Sequence, residues 1–451
     1  MKVLFANPPW WAGPTDKKWW GQGWLLRKWR AGVRCGSRWP FTYDAFSRPG
    51  KRFFYDYTPY PFFMGYATTY VAQQTGATAL FRDSIALRES YEDFYKYVDQ
   101  HRPDFTFIES ATPSWDHDRE VIHELHRRFP NMKIAVTGPI TTTKSQEILE
   151  QDPVVACIKG EYEKGAVKVV EGATGVLEHN LLTLKEMNAS PFPYYDAEHA
   201  HLYFDLNPRW QKFPHAHVWS SRGCPFKCIF CVWPATMTGN DPDGNTVRTV
   251  RHYSPDYMEG FLTELVHKYK FRSIYFDDDT FNLGNSHVVK MCGVMKKLGV
   301  PWSAMCRADT SKLETWALMK ESGCFGVKLG FESGSQYVVD KIVNKHLDLE
   351  FSKKVVAEIH RLKMRVHGTF TYGLPGETHE QMMETKKFIK SQPFSSYQES
   401  GTAEIEGTPL HTLRLTGKLD AYEGATIDQS YSRATDGNVK FQEMVKTLRD
   451  S

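Results

Sequence analysis

The stretch RGCPFKCIFC, residues 222–231, places Cys224, Cys228 and Cys231 three residues and then two residues apart. Structural zinc asks for four ligands, commonly as two pairs, and no second C-x2-C pair occurs in the chain. A zinc site completed by His215 or His217 stays open on spacing alone. A thioredoxin-type pair would use two thiols and leave Cys224 without a role. Three thiolates suit a four-iron four-sulfur (4Fe-4S) cluster in which the protein holds three irons and the fourth accepts a ligand.

The fold is read outward from this loop. HAHVWSS (215–221) runs as a strand directly into the cysteines, and further strands are expected at 273–279, 301–309, 325–333, 366–374 and 396–405. Helical patterns such as DYMEGFLTELVHKY, SHVVKMCGVMKKLG and EQMMETKKFIKSQ fall between them. Six strand-helix units are too few for a closed eight-unit barrel, so residues 215–410 are expected to form a partial (β/α)6 TIM-like barrel. In such barrels reactive groups gather at the C-terminal ends of strands, and the three cysteines follow the first.

The N-terminal part alternates as well. KVLFAN (2–7), ATALFRD (77–83), DFTFIES (104–110), KIAVTGP (133–139) and VVACIKG (154–160) read as strands. FMGYATTYVAQQTG (63–76) has helical spacing and stops at a glycine. This α/β alternation predicts a doubly wound, Rossmann-like parallel sheet over 1–170, with Asn7, Ser110, Gly138 and Gly160 along its ligand-binding edge. Residues 10–62 read as an aromatic and basic insertion, 171–214 as a linker, and 411–451 as a short C-terminal segment.

Composition narrows the function classes. A formal charge of +3 on 451 residues is too small for bulk attraction to nucleic acid, and no run of eighteen apolar residues predicts a membrane span. The start, MKVLFANPPWWAG, lacks a small-residue cleavage site and reads as a strand, which makes the cytoplasm the default setting. Eight cysteines are too sparse for a disulfide framework, and Cys35, Cys157, Cys292, Cys306 and Cys324 read as small buried hydrophobes.

CPFKCIFC, with Phe230 before its third cysteine, resembles the signature of the radical S-adenosylmethionine superfamily. The resemblance implies that Cys224, Cys228 and Cys231 hold a 4Fe-4S cluster. The open iron would chelate S-adenosylmethionine, whose reductive cleavage yields a 5′-deoxyadenosyl radical that abstracts hydrogen from a substrate. It also implies cofactor contacts at successive strand ends: Phe230, Asp277 and Asp278 in YFDDDTFN, Arg307 in CRAD, Glu332 and Ser333 in LGFESGS, and Gly373 in YGLPGET.

VLFANPPW, PFFMGYATTYVAQQTGA, KIAVTGP and KGEYEKG are similar to the cobalamin-binding domain that precedes many of these enzymes. On that likeness Asn7, Pro8, Pro9, Ser110, Thr112, Thr137, Gly138, Gly160 and Glu161 are expected around cobalamin. The D-x-H-x-x-G loop that brings a histidine to cobalt in another such fold is missing here. The reaction implied is methyl transfer to an unactivated carbon. The alternative is another radical reaction (ring formation, rearrangement, deoxygenation or epimerisation, the last with Cys306 as hydrogen donor). A small-molecule substrate and an electron donor such as flavodoxin or ferredoxin complete the expected partners.

Overall fold

Both faces of the strand β1 (Lys2–Asn7) are buried, as a central parallel strand requires. The computed structural model describes residues 1–9, 28–31, 41–44, 57–205, 208, 210–238, 248–402 and 404–418. It divides into two units, Met1–Arg209 with Thr236–Asn240, and Trp210–Ala235 with Asp241–Ser451.

In the first unit, β1 is joined by β2 (Thr78–Asp83), β3 (Phe105–Glu109), β4 (Lys133–Thr137), β5 (Ala156–Ile158) and β6 (Gly175–Leu177). The six pair in parallel in the order β2-β1-β3-β4-β5-β6. The order reverses between β1 and β3, so the crevice at their carboxyl ends is where a doubly wound sheet receives a ligand. The helices α1 (Phe62–Thr75), α2 (Tyr91–His101), α3 (Trp115–Arg128), α4 (Thr141–Gln151) and α5 (Glu163–Val170) link the strands. The glycine stop of α1 is as expected: Gly76 is left-handed at φ 68° and its N–H caps Ala72 O. Val98, Ile122, Leu125, Ile134 and Ile148 fill the core on one face.

Two differences from the sequence reading concern this unit. Residues 171–205, read as a linker, supply β6 and an aromatic layer in which Tyr195 stacks on Tyr60 at 4.5 Å and Tyr194 on Phe81 at 5.0 Å. Their sequence carries too few apolar alternations to show this, because aromatic rings hold them down. Within the 10–62 insertion, an antiparallel hairpin pairs Lys28–Ala31 with Phe41–Asp44, and Tyr57–Thr58 pairs with Phe204–Asp205. Trp19, Trp20, Trp24 and Trp39 lie outside the described residues.

The second unit holds β7 (His215–Val218), β8 (Ser273–Phe276), β9 (Trp302–Cys306), β10 (Cys324–Glu332), β11 (Arg365–Tyr372) and β12 (Ser396–Gly401). All are parallel and lie in sequential order. The crossovers carry α6 (Pro255–His267), α7 (Asn285–Leu298), α8 (Leu313–Glu321), α9 (Leu349–Arg361) and α10 (His379–Ser391), and α11 (Pro409–Leu415) follows β12. Among the described residues no pairing joins β7 to β12, so the barrel is partial. Among the described residues no helix is long and apolar enough to cross a membrane.

Candidate functional site

The cysteine loop begins where β7 ends. Residues Ser221–Arg222 form a short antiparallel ribbon with Arg251–His252, which ties both ends of the loop. Gly223 sits at φ 91°, a left-handed conformation that glycine adopts without steric cost, and it turns the chain into Cys224. The N–H of Cys231 donates to Cys228 O at 3.1 Å, closing the C-x2-C half as a turn. Cys224 is buried, Cys228 and Cys231 are half-buried, and none of the three is in a disulfide.

Segments from distant strands support the loop. Ile229 N donates to Val343 O at 3.0 Å, Leu410 N donates to Ile229 O at 2.8 Å, and Asn344 Nδ2 donates to Lys227 O at 3.2 Å. Arg248 Nη1 donates to Phe226 O at 2.7 Å, and the Arg307 guanidinium lies 3.7 Å over the Phe226 ring. Burial raises the Cys228 thiol pKa, while Lys345, Arg307 and Arg248 pull it the other way. Burial, aided by Asp279, pushes Cys224 up to about 11.

Among the described residues no three His, Cys, Asp or Glu side chains converge as ligands of one ion. The donor set is three reduced thiols spread along one loop, which fits a cluster taking one thiolate per iron. Positive side chains beside it suit an anionic thiolate cluster.

The expected cofactor contacts divide into two groups. Arg307, Glu332 and Gly373 lie at strand ends, Arg307 buried and the other two half-buried. Arg307 pairs with Asp309 and donates to His346 O at 2.8 Å, while its buried Nη1 has no partner among the described residues. Glu332, itself at φ 67°, accepts from Lys345 Nζ at 2.8 Å and Thr371 Oγ1 at 3.2 Å. Gly373 is left-handed at φ 71°, and the turn it opens aims Leu374 N at Glu377, whose pKa burial raises to about 8. Asp277 is half-buried at the end of β8.

Asp278, Ser333 and Phe230 are engaged elsewhere. Asp278 is wholly buried and accepts from Ser220 N at 3.1 Å, Ser220 Oγ at 2.9 Å and Ser221 Oγ at 2.5 Å. It therefore clamps the end of β7 just before the cysteines, and burial lifts its pKa to about 7 against these hydrogen bonds. Ser333 bonds Thr385 of α10 at 3.0 Å, and Phe230 packs on the apolar cluster of Ile229, Val338, Leu374 and Leu410. Alternation along a strand could not foretell the turn that sends Asp278 inward. Sequence reading missed Lys345, Arg248 and Asn282. Asn282 spans two strand ends by accepting from Arg307 N at 2.9 Å and donating to Arg307 O at 2.8 Å. Cys306 is buried near Cys324 and Cys292, and burial, with those thiols, raises its pKa well above the ordinary value.

In the first unit Asn7 ends β1, Pro8 and Pro9 follow it, and all three are buried. Buried Asn7 Oδ1, Thr112 Oγ1 and Thr142 Oγ1 have no partner among the described residues, and Gly138 at φ 94° turns the chain after β4. Unsatisfied buried polar atoms at a switch point are what a large polar ligand would satisfy. Ser110 Oγ donates to Asp118 at 2.6 Å, and Thr137 Oγ1 donates to Ile108 O at 3.4 Å. Gly160 and Glu161 are covered instead of open. Glu161 N donates to Met237 O at 3.0 Å, and a Cβ on Gly160 would lie 2.4 Å from His179 and 2.9 Å from Met237 O.

Residues 220–389 match the family model of the Radical SAM superfamily. The barrel unit thus carries a stretch matching the Radical SAM superfamily. It is 25% identical over 359 residues to an uncharacterized methyltransferase of Pyrococcus horikoshii, covering 75% of each protein. Over 252 residues it is 27% identical to cytidylyl-2-hydroxyethylphosphonate methyltransferase of Streptomyces wedmorensis, covering 52% of this chain and 45% of that one. The chain thus spans less than half of the Streptomyces relative. Its fold is similar to that of the radical S-adenosylmethionine methyltransferase TsrM from Kitasatospora setae, with a TM-score of 0.64 and 14% identity over 91% of this chain and 74% of that one. That structure holds a tryptophan substrate and a SAM analog; another of the same protein holds cobalamin and a [4Fe-4S] cluster.

Proposed function

We propose that this protein is a cobalamin-dependent radical S-adenosylmethionine methyltransferase acting on an unactivated carbon of a small molecule. The observation that carries the reading is the pairing, in one chain, of a three-thiol loop at the first strand end of a partial barrel with an unsatisfied polar switch point on a separate doubly wound sheet. Methyltransferase names among the relatives support it.

When bound, the cluster supplies the electron that cleaves S-adenosylmethionine, and the corrin supplies a carrier for the methyl group. The chain's own residues position and shield. Cys224, Cys228 and Cys231 hold the cluster, and Asp278 fixes the strand end that leads into them through Ser220 and Ser221. The free Nη1 of Arg307 offers a buried donor to the cofactor carboxylate, and Glu332 offers an acceptor to its amino or ribose group. Asn7, Thr112 and Gly138 receive the corrin or its tail, with Pro8 and Pro9 shaping the loop beside it. Flavodoxin or ferredoxin as electron donor and a cytoplasmic setting belong to the same reading.

The product ratio tests it. Methyl transfer yields S-adenosylhomocysteine and 5′-deoxyadenosine together in equal amounts, whereas a radical rearrangement or ring formation yields 5′-deoxyadenosine alone.

A further inference from the structure

The two faces of β10–β12 differ in kind. On the face toward the helices, Phe331 stacks on Phe370 at 5.5 Å, both pack against Phe388 of α10, and Tyr372 bonds Glu399 at 2.8 Å. All three of Phe331, Phe370 and Tyr372 are buried. The alternate residues face the barrel lumen: Thr369 stands level with Gln398, and Thr371 level with Ser400. These four are half-buried, as are Glu332 and Asp277. A Cβ on Gly330 would meet Glu332, Lys345 and Thr369, which places those three groups around one side-chain-free gap in the wall.

The polar character continues downward. Lys328 and His367 share a register level below Thr369, both buried, and His367 Nδ1 lies 2.9 Å from Ser396 Oγ. Below them Trp210 and Gln211 close the floor, bonding Ser396 at 3.0 Å and Ser303 at 2.8 Å. From Ser396 to Ser400 the polar wall runs four residues, roughly 13 Å at the strand rise. A barrel interior built only for stability is filled with Val, Ile and Leu. Keeping lysine, histidine, threonine and glutamine on the inward face costs desolvation, and a purely structural lumen would not retain them.

We infer that the lumen wall formed by Thr369, Thr371, Gln398 and Ser400 is the substrate subsite, and that it takes a hydrophilic small molecule carrying several hydrogen-bonding groups, not a planar apolar ring or a lipid chain. The inference rests on the proposed radical activity, since it assigns the substrate side of that same site. Gln398 Nε2 donates to Ser400 Oγ at 3.0 Å and Thr371 Oγ1 donates to Glu332 at 3.2 Å, so the wall offers a polar molecule its remaining hydroxyl and carbonyl capacity, which a flat hydrocarbon would leave unused.

The test uses anaerobically reconstituted holoenzyme with methyl-deuterated S-adenosylmethionine. A small-molecule extract of the organism that makes the protein is split into a hydrophilic and an apolar fraction. Two quantities are read: stimulation of 5′-deoxyadenosine formation, which reports substrate binding, and deuterated methyl in a product, which reports methylation. The expected result is stimulation by the hydrophilic fraction, cut at least tenfold in Thr369→Val and Gln398→Leu and kept in Thr369→Ser. Stimulation by the apolar fraction alone, by neither fraction, or equally in the valine and leucine variants overturns the inference. Stimulation by the hydrophilic fraction without labelled product overturns methyl transfer and leaves the lumen assignment standing.

Discussion

The two parallel sheets share a construction and differ at their carboxyl ends. In the barrel unit the strand ends are bonded to one another: Asp278 to Ser220 and Ser221, Asn282 to Arg307, Glu332 to Lys345. In the first unit Ser110 bonds Asp118, but Asn7, Thr112 and Thr142 keep buried polar atoms without partners among the described residues, whereas in the barrel unit Arg307 Nη1 and Glu377 Oε1 do so beside the bonded strand ends. A densely bonded edge suits a site whose geometry must be set before chemistry begins. An edge with unsatisfied groups suits a site completed by its ligand.

The sharpest way to break this contrast is at the cysteines. Replacing Cys224, Cys228 or Cys231 with alanine is expected to abolish 5′-deoxyadenosine formation and cluster absorbance, while far-ultraviolet circular dichroism stays native. Retained cleavage in any of the three would remove the loop from the reaction.

Next in size is Asp278→Ala, which leaves the Ser220 and Ser221 donors unpaired inside the protein. A loss on the order of 3 kcal/mol is expected, read as a lower unfolding temperature and weaker iron retention. Asp278→Asn should recover most of it. The pH dependence follows from the pKa, which at about 7 lies above the usual carboxyl value of 3.8. The native state holds a proton that the unfolded chain releases, so this contribution is full below the unfolded value and is lost as pH rises toward 7. His287, which bonds Ser220 Oγ at 2.9 Å and is lowered by burial to about 3, acts oppositely, contributing most above its ordinary value and less as pH falls. Comparison with Asp278→Asn isolates the aspartate: the variant should lose the decline in stability between pH 4 and 7.

Gly160→Ala tests the covered end of the first sheet. Its φ of 72° and the nearby Met237 O make alanine strained there, with a cost of about 1–3 kcal/mol in thermal unfolding of the first unit. The smallest effect is expected at the open edge. Thr112→Val should weaken cobalamin binding about five- to tenfold in an absorbance titration, in keeping with one lost hydrogen bond, and leave the apo-protein's stability within about 0.5 kcal/mol. A fall in stability without a fall in affinity would make the first unit's edge structural.

Much of this was legible in the sequence. The expected strands at 2–7, 273–279, 325–333, 366–374 and 396–405 each contain an observed strand or overlap nearly all of one, because buried parallel strands are continuous apolar or β-rich runs between turns. The cysteine spacing is chemistry written directly in the chain. What escaped depends on where side chains turn after a strand ends. Asp277 and Asp278 look equivalent in YFDDDTFN, yet Asp277 stays half-buried and Asp278 is consumed by two serines 58 and 57 residues earlier in the chain. Lys345 lies in an irregular stretch with left-handed Asn344 and His346, and nothing in NKH marks it as a neighbour of Cys228. β6 was hidden because Gly175–Leu177 is three residues long and only half-buried.

The central claim is that one chain carries both groups, a cluster on the bonded edge and a corrin on the open one. Joint measurement of iron, sulfide and cobalt in protein purified anaerobically from cells supplied with cobalamin tests it most directly. The account predicts about four irons with matching sulfide and about one cobalt per chain, the iron lost in the cysteine variants and the cobalt in Thr112→Val combined with Asn7→Leu. Iron and sulfide at that level with no cobalt, even after loading with excess cobalamin, would contradict it.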